Sequence, residues 1–309
     1  MKTRALGSLQ VSEVGVGCNN FGTRLDQGRA TDVVNAAIES GINFFDTADI
    51  YGATKSEVFL GEALQGRRDT VIVASKFGMP IDDTHFGASP DYVRFACEES
   101  LRRLNTDYID LYQVHYPDEK TPIADTLGAL GELVAAGKVR EIGCSNFTPA
   151  QLHGAKIAAG NGPAFVSVQN QYSLLDRTPE RDGVLAACDE LGIGFLPFYP
   201  LANGLLTGKV RPGEPIPEGT RLSKMAPERS AHWLSDELQA RVGTLLEYAD
   251  TANSSILTFA FSWLLHHREV PSVIAGASSP AQVRANAASV SELSDNVFEE
   301  LNRLSALDL

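Results

Sequence analysis

Four side chains able to hold or move protons stand where apolar runs of this chain stop. Ile42, Phe44 and Phe45 lead into Asp46, and Tyr51 follows five residues later; Lys76 ends the run 71–76, and His115 ends the run 108–115. Singly, each has a structural reading: Asp as a turn former, Lys as a solvated surface residue, His as a hydrogen-bonded core residue. Taken together they describe chemistry. A phenol with a pKa near 10 donates its proton poorly unless the phenolate is stabilised, and a nearby ammonium stabilises it. Lys76 can stand between Asp46, which keeps it charged and oriented, and Tyr51, whose pKa it lowers. His115 can hydrogen-bond a substrate oxygen or assist the proton transfer. No serine or cysteine is paired with a base, and no metal-ligating set is present. Such a group of donors converges on one oxygen. It suits protonation of a carbonyl oxygen while another agent delivers hydride to carbon.

Positioning these groups demands a regular scaffold, and the hydrophobic pattern supplies one. After a hairpin over 1–12, strand-like runs at 14–18, 42–46, 71–76, 108–115, 139–145, 166–171, 193–199 and 272–275 alternate with helical spacing. The helices are expected over 28–40, 56–64, 89–104, 122–136, 149–159, 180–191 and 280–288, with extra ones over 235–250, 254–267 and 295–304. Strands alternating with helices imply a parallel sheet covered by helices. Eight units in 309 residues fit a closed α/β barrel of the (β/α)8 TIM type, one domain over 1–309. It carries an N-terminal β-hairpin and extra helices near the C-terminus. An open dinucleotide-binding sheet would need a glycine-rich turn opening a helix. Here the first strand leads into Gly15-Val16-Gly17-Cys18-Asn19-Asn20-Phe21, which has the wrong spacing. In a barrel the C-terminal strand ends share one mouth. Read in order, those ends are Asn19 and Asn20, Asp46, Lys76, His115, Ser145 and Asn146, Gln169, then Phe198 and Tyr199. The Gly/Pro-rich excursion 203–232 is longer than ordinary loops and is expected to be functional.

A net charge of −13 and a pI near 4.9 exclude the basic footprint of general nucleic-acid binding and adhesion to anionic lipid. An anionic ligand can bind only where local donors outweigh that field. Cys18, Cys97, Cys144 and Cys188 form neither a zinc pattern nor a disulfide framework, which is the usage of a reducing compartment. Residues 1–7 lack a signal-peptide core, and the longest apolar stretch, 257–265, is far short of a membrane span. A cytoplasmic protein acting on a small molecule is expected, with no nucleic-acid or membrane partner; the oligomeric state is not written in these residues.

Several stretches together make the sequence similar to the aldo-keto reductase superfamily over essentially its whole length. They are the Asp46 to Tyr51 segment, Ser75-Lys76-Phe77-Gly78, residues 110–115, residues 137–147, residues 169–173 and Leu205-Leu206-Thr207-Gly208-Lys209. The resemblance implies an NAD(P)H-dependent oxidoreductase that reduces an aldehyde or ketone. Asp46, Tyr51, Lys76 and His115 form the implied tetrad, with Tyr51 as the acid. It further implies that Ser145, Asn146 and Gln169 hold the nicotinamide carboxamide and that Phe198 stacks on the ring, with Tyr199 beside it. Leu201, Gly204, Leu206 and Lys209 would follow the pyrophosphate, and Gly276, Ser278, Gln282 and Asn286 the adenosine end. Asn20, Phe21, His85, Phe86 and Tyr116, with the loop reaching Trp233, would form the substrate pocket. Two positions depart from the pattern. Residues 275–280 lack the basic residue that many members use for the 2′-phosphate, the first being Arg284, so NADPH is expected with NADH or dual use as the alternative. Tyr199 stands where a serine is common. Two other functions remain on the same scaffold: a nicotinamide-binding regulatory module resembling potassium-channel β-subunits, and a Lys76 Schiff-base lyase, which Asp46 argues against by keeping Lys76 charged.

Overall fold

In the computed structural model, residues 1–306 are described; the last three residues of the expected single domain, 307–309, lie outside the described residues. The chain opens with an antiparallel hairpin, β1 (Thr3–Leu6) and β2 (Leu9–Ser12), turning at Gly7 with Leu6 opposite Leu9. Among the described residues eight parallel strands follow: β3 (Val14–Gly17), β4 (Phe44–Asp46), β5 (Ile72–Phe77) and β6 (Ile109–Val114). Then come β7 (Val139–Ser145), β8 (Ser167–Gln171), β9 (Gly194–Phe198) and β10 (Val273–Gly276). Their spatial order is β10-β3-β4-β5-β6-β7-β8-β9. The ring is drawn together where the Phe195 amide donates to the Glu269 carbonyl at 2.6 Å, just ahead of β10. This is the expected (β/α)8 barrel with its hairpin and its extra helices.

Because successive strand residues face opposite sides, each strand serves two cores. Outward residues such as Phe45, Val73, Tyr112, Val114, Cys144 and Phe195 pack beneath the surrounding helices. Inward, Phe44, Ile72, Ala74, Leu111, Leu196 and Ile274 form a separate cluster with Leu6, Leu9 and Val11. The hairpin therefore plugs the N-terminal mouth of the barrel, and the C-terminal mouth is left open.

Helix starts follow local chemistry. Asp26 caps Gln27–Glu39, and Thr148 with Gln151 makes a reciprocal capping box on Pro149–Ala159. The helix expected over 180–191 is instead two, Thr178–Arg181 and Val184–Leu191, because Gly183 between them takes a left-handed φ of 80°. The excursion 203–232 is not featureless: it holds the 3-10 turns Ala202–Thr207 and Leu222–Lys224 and the short helix Pro227–Ser230. No helix among the described residues is long and apolar enough to cross a membrane.

Candidate active site

The strand pleat aims Asp46 of β4 and Lys76 of β5 into the barrel, and both are buried. Two ions removed from water are tolerated only when paired and fully hydrogen-bonded. Here Lys76 Nζ donates to Asp46 Oδ1 at 2.5 Å and to the Thr47 carbonyl at 2.8 Å. Gln113 Nε2 and Gln169 Nε2 donate to Asp46 Oδ2 at 3.2 and 2.9 Å. Burial alone would discharge Lys76, but Asp46 and then Tyr51 outweigh it and hold its pKa above the ordinary value. Lys76 is thus a fixed cation.

Tyr51 leaves the end of β4 on a turn that only glycine permits. Gly52 has a φ of 62°, and a Cβ there would lie 2.3 Å from the Phe21 carbonyl oxygen. Ala53 and Thr54 also take left-handed conformations, so the loop behind Tyr51 carries backbone strain of the kind found at functional sites. The Lys76 ammonium lies 5.1 Å from the Tyr51 ring centroid, and the His115 ring meets the phenol ring edge-on at 5.8 Å. The expectation that Lys76 lowers the Tyr51 pKa holds only for its own contribution. Burial pushes the phenol up, Lys76 pulls it down, and burial prevails. Tyr51 therefore keeps its proton at neutral pH, beside a charge ready to stabilise the phenolate. Burial and the Lys76 charge push His115 down to about 3. It is neutral at physiological pH, a hydrogen-bonding group rather than an acid.

Above these residues opens a cleft of about 850 Å³. Its lining includes Asp46, Tyr51, His115, Ser145, Asn146, Gln169, Phe198, Tyr199, Leu201, Gly204 and Lys209. Gly276, Ser278, Gln282, Asn286, Asn20 and Tyr116 complete the expected residues brought to it. Several also hold the rim together. Ser145 Oγ donates to the Gln169 carbonyl at 2.6 Å, and Asn146 Nδ2 to the His115 carbonyl at 3.1 Å. Asn20 Nδ2 reaches the Ala277 carbonyl at 3.2 Å.

Other expected residues are not brought to the cleft. Lys76 lies behind its wall. Leu206 and Phe21 are fully buried in the outer core. His85 binds Asp82 of its own loop at 2.7 Å and stacks on Phe95, and Phe86 is exposed beside it. Trp233 packs against the core. Arg284, the first basic residue after β10, pairs with Glu39 on the surface at 3.3 Å.

Sequence reasoning missed Gln113, Arg24, Asn203 and Arg221. Gln113 sits mid-strand, and its only signal was its even spacing from Leu111 and His115, which puts it on the inward face. Asn203 and Asn19 both line the cleft, each with a buried Oδ1 that has no partner. Tyr199, Ala202 and Asn203 take left-handed φ values of 52°, 44° and 55° along the same rim. A long cleft with orphaned acceptors, a strained rim and basic side chains fits an elongated anionic ligand bearing hydroxyl and amide donors. A nicotinamide dinucleotide meets that description.

The sequence model described as the Aldo/keto reductase family matches residues 13–306. The uncharacterized oxidoreductase YqkF of Bacillus subtilis (strain 168) is 34% identical over 317 residues, covering 100% of this chain and 98% of that protein. A probable aldo-keto reductase 1 of Glycine max is 38% identical over 208 residues; the match takes in 65% of this chain and 59% of that protein's length. Among solved structures, the aldo-keto reductase AKR11C1 from Bacillus halodurans, in its holo form, superposes with a TM-score of 0.82 at 33% identity, covering 100% of this chain and 98% of that one.

Proposed function

The chain belongs to the aldo/keto reductase family of oxidoreductases, and from that premise we propose that it reduces an aldehyde or ketone to the alcohol with a nicotinamide cofactor, NADPH before NADH. The observation that carries the reading is the buried Asp46–Lys76 pair set directly behind a protonated Tyr51 at the floor of the cleft. That the similar structure of AKR11C1 is a holo form supports a bound cofactor in this reading.

Ser145, Asn146 and Gln169 would hold the carboxamide, Phe198 the ring, and Leu201, Gly204 and Lys209 the pyrophosphate. Gly276, Ser278, Gln282 and Asn286 would hold the adenosine end. When bound, the reduced cofactor supplies the hydride. Tyr51 supplies the proton to the carbonyl oxygen. As its O–H bond lengthens, negative charge grows on the phenolic oxygen beside Lys76. The ammonium stabilises that charge without itself giving up a proton, because Asp46 anchors it. Neutral His115 can donate a hydrogen bond to the same carbonyl oxygen and orient it. A Lys76 carbinolamine would require the neutral amine, which the ion pair with Asp46 opposes.

Titration of the protein with NADPH and NADH, followed by a panel of aldehydes and ketones, tests the proposal. Cofactor oxidation matched by alcohol formation is expected. Tight cofactor binding with no turnover across the panel would replace this reading with that of a regulatory module.

A further inference from the structure

We propose that Gln113, buried behind the wall of the cleft, is a positioning residue for the reduction. Its amide fixes the Asp46 carboxylate and disperses part of its charge, which leaves Lys76 free to serve Tyr51. This rests on the functional reading above.

Gln113 of β6 is the cross-strand partner of Lys76 on β5, and both side chains are fully buried. The two divide one carboxylate. Lys76 Nζ takes Asp46 Oδ1 at 2.5 Å, and Gln113 Nε2 donates to Oδ2 at 3.2 Å. An ionised carboxylate only accepts, so the amide nitrogen must face it and Gln113 Oε1 must turn away. That oxygen is buried without a partner, as is Ser167 Oγ two strands along the same row. Gly143 stands between them: a Cβ there would lie 2.5 Å from Ser167 Oγ and 3.3 Å from Gln113 Cγ. An apolar side chain at 113 would spare the barrel an orphaned oxygen. That cost points to a use for the donor end.

The use follows from the charges around Tyr51. Burial raises the phenol pKa most; Lys76 lowers it, and Asp46 raises it again. Asp46 thus holds the ammonium in place but also offsets its pull on the phenolate that forms during proton transfer. Charge-assisted hydrogen bonds to Oδ2 draw the carboxylate's charge away from Lys76 and lessen that offset. Gln169 Nε2 makes the same contact at 2.9 Å, but Gln169 lines the cleft, where the reading above assigns it to the nicotinamide carboxamide. Gln113 has no such second ligand. It is the donor that remains with Asp46 while the cofactor is bound.

Gln113→Met and Gln113→Glu test the proposal on the intact protein. NADPH dissociation constants are compared with single-turnover reduction of an aldehyde the parent accepts, from mildly acidic to mildly alkaline pH. Methionine keeps the length and loses the donor. Its rate should fall about tenfold at every pH, short of the ~10²–10³-fold for a donor lost from an oxyanion itself. NADPH affinity should be unchanged, which also reports that the variant folds. Glutamate separates positioning from packing. The titratable groups around it are Asp46 on β4, Lys76 on β5 with Tyr51 beyond, and His115 just past the end of β6. Its carboxyl can donate to Oδ2 only while protonated, and burial and the Asp46 charge hold that proton on against the Lys76 charge. The Gln113→Glu rate should approach the parent's at acid pH and drop below that of Gln113→Met as the proton is lost. Reduction by Gln113→Met at the parent rate would overturn the proposal. So would equal losses in both variants at every pH, the mark of a packing residue, or a fall in NADPH affinity matching the fall in rate. A parent protein that reduced no carbonyl would overturn the functional reading, and this proposal with it.

Discussion

At the N-terminal mouth of the barrel the inward side chains are Phe44, Ile72, Leu111, Leu196 and Ile274, sealed by Leu6, Leu9 and Val11 of the hairpin. One pleat further along, β4, β6, β9 and β10 present Asp46, Gln113, Phe198 and Gly276, and β5, two pleats on, presents Lys76. The backbone is the same and the burial nearly so. What changes is whether each inward position gains or loses by leaving water. An apolar side chain at the plugged mouth gains about 1.5–3 kcal/mol from full burial. Each ion at the open mouth loses several kcal/mol, offset only by its partners. The two mouths divide the work: one holds the barrel closed, and the other spends part of that stability on a preorganised charge.

Variants that break this division should be unlike in kind. Lys76→Met strands Asp46 as a buried, unpaired carboxylate. It should cost about 3–5 kcal/mol of unfolding free energy in urea titrations and abolish carbonyl reduction. Phe44→Ala, one pleat below, should cost a similar ~3–5 kcal/mol as a cavity. Its cofactor dissociation constant, measured well below the denaturation midpoint, should be unchanged.

A smaller effect sharpens the contrast just behind the open mouth. Asp49 is fully buried with both carboxylate oxygens unpartnered. Burial, followed by the Glu57 charge, pushes it from the usual 3.8 up to about 7. The folded state therefore holds this proton more tightly than the unfolded state. As pH rises from the unfolded pKa to the folded one the group costs progressively more stability, and the penalty is complete above about 7. Asp49→Asn should flatten this part of the stability–pH curve. It should be the more stable protein above that window, by on the order of 2–4 kcal/mol, as thermal unfolding across the window would show.

Much of this architecture is legible in the sequence because it rests on local chemistry. Strand runs ending in polar residues, and their alternation with helical spacing, each state their structure within a few residues. The convergence of Asp46, Lys76 and His115 was legible because three strand ends share one mouth, with Tyr51 on the loop after the first. Gln113 was not, since its role depends on a register that brings it to Asp46 across the barrel from Gln169. Leu206 and Phe21 sit within a residue or two of the rim but turn into the core, and a loop's sequence does not fix which way its side chains face. The Tyr51 pKa eluded sequence reasoning for a related reason: Lys76 acts in the anticipated direction, but burial, a property of the whole fold, outweighs it. Arg24 and Arg221 are nearly 200 residues apart, and only the closed barrel sets them on one cleft.

The central claim is that the open mouth delivers a proton from Tyr51. Its most direct test is Tyr51→Phe, comparing NADPH affinity with single-turnover reduction of an aldehyde at saturating cofactor. The account predicts unchanged affinity and a reduction rate lowered by ~10²–10⁴-fold, the usual worth of a positioned acid. Reduction at the parent rate would contradict it.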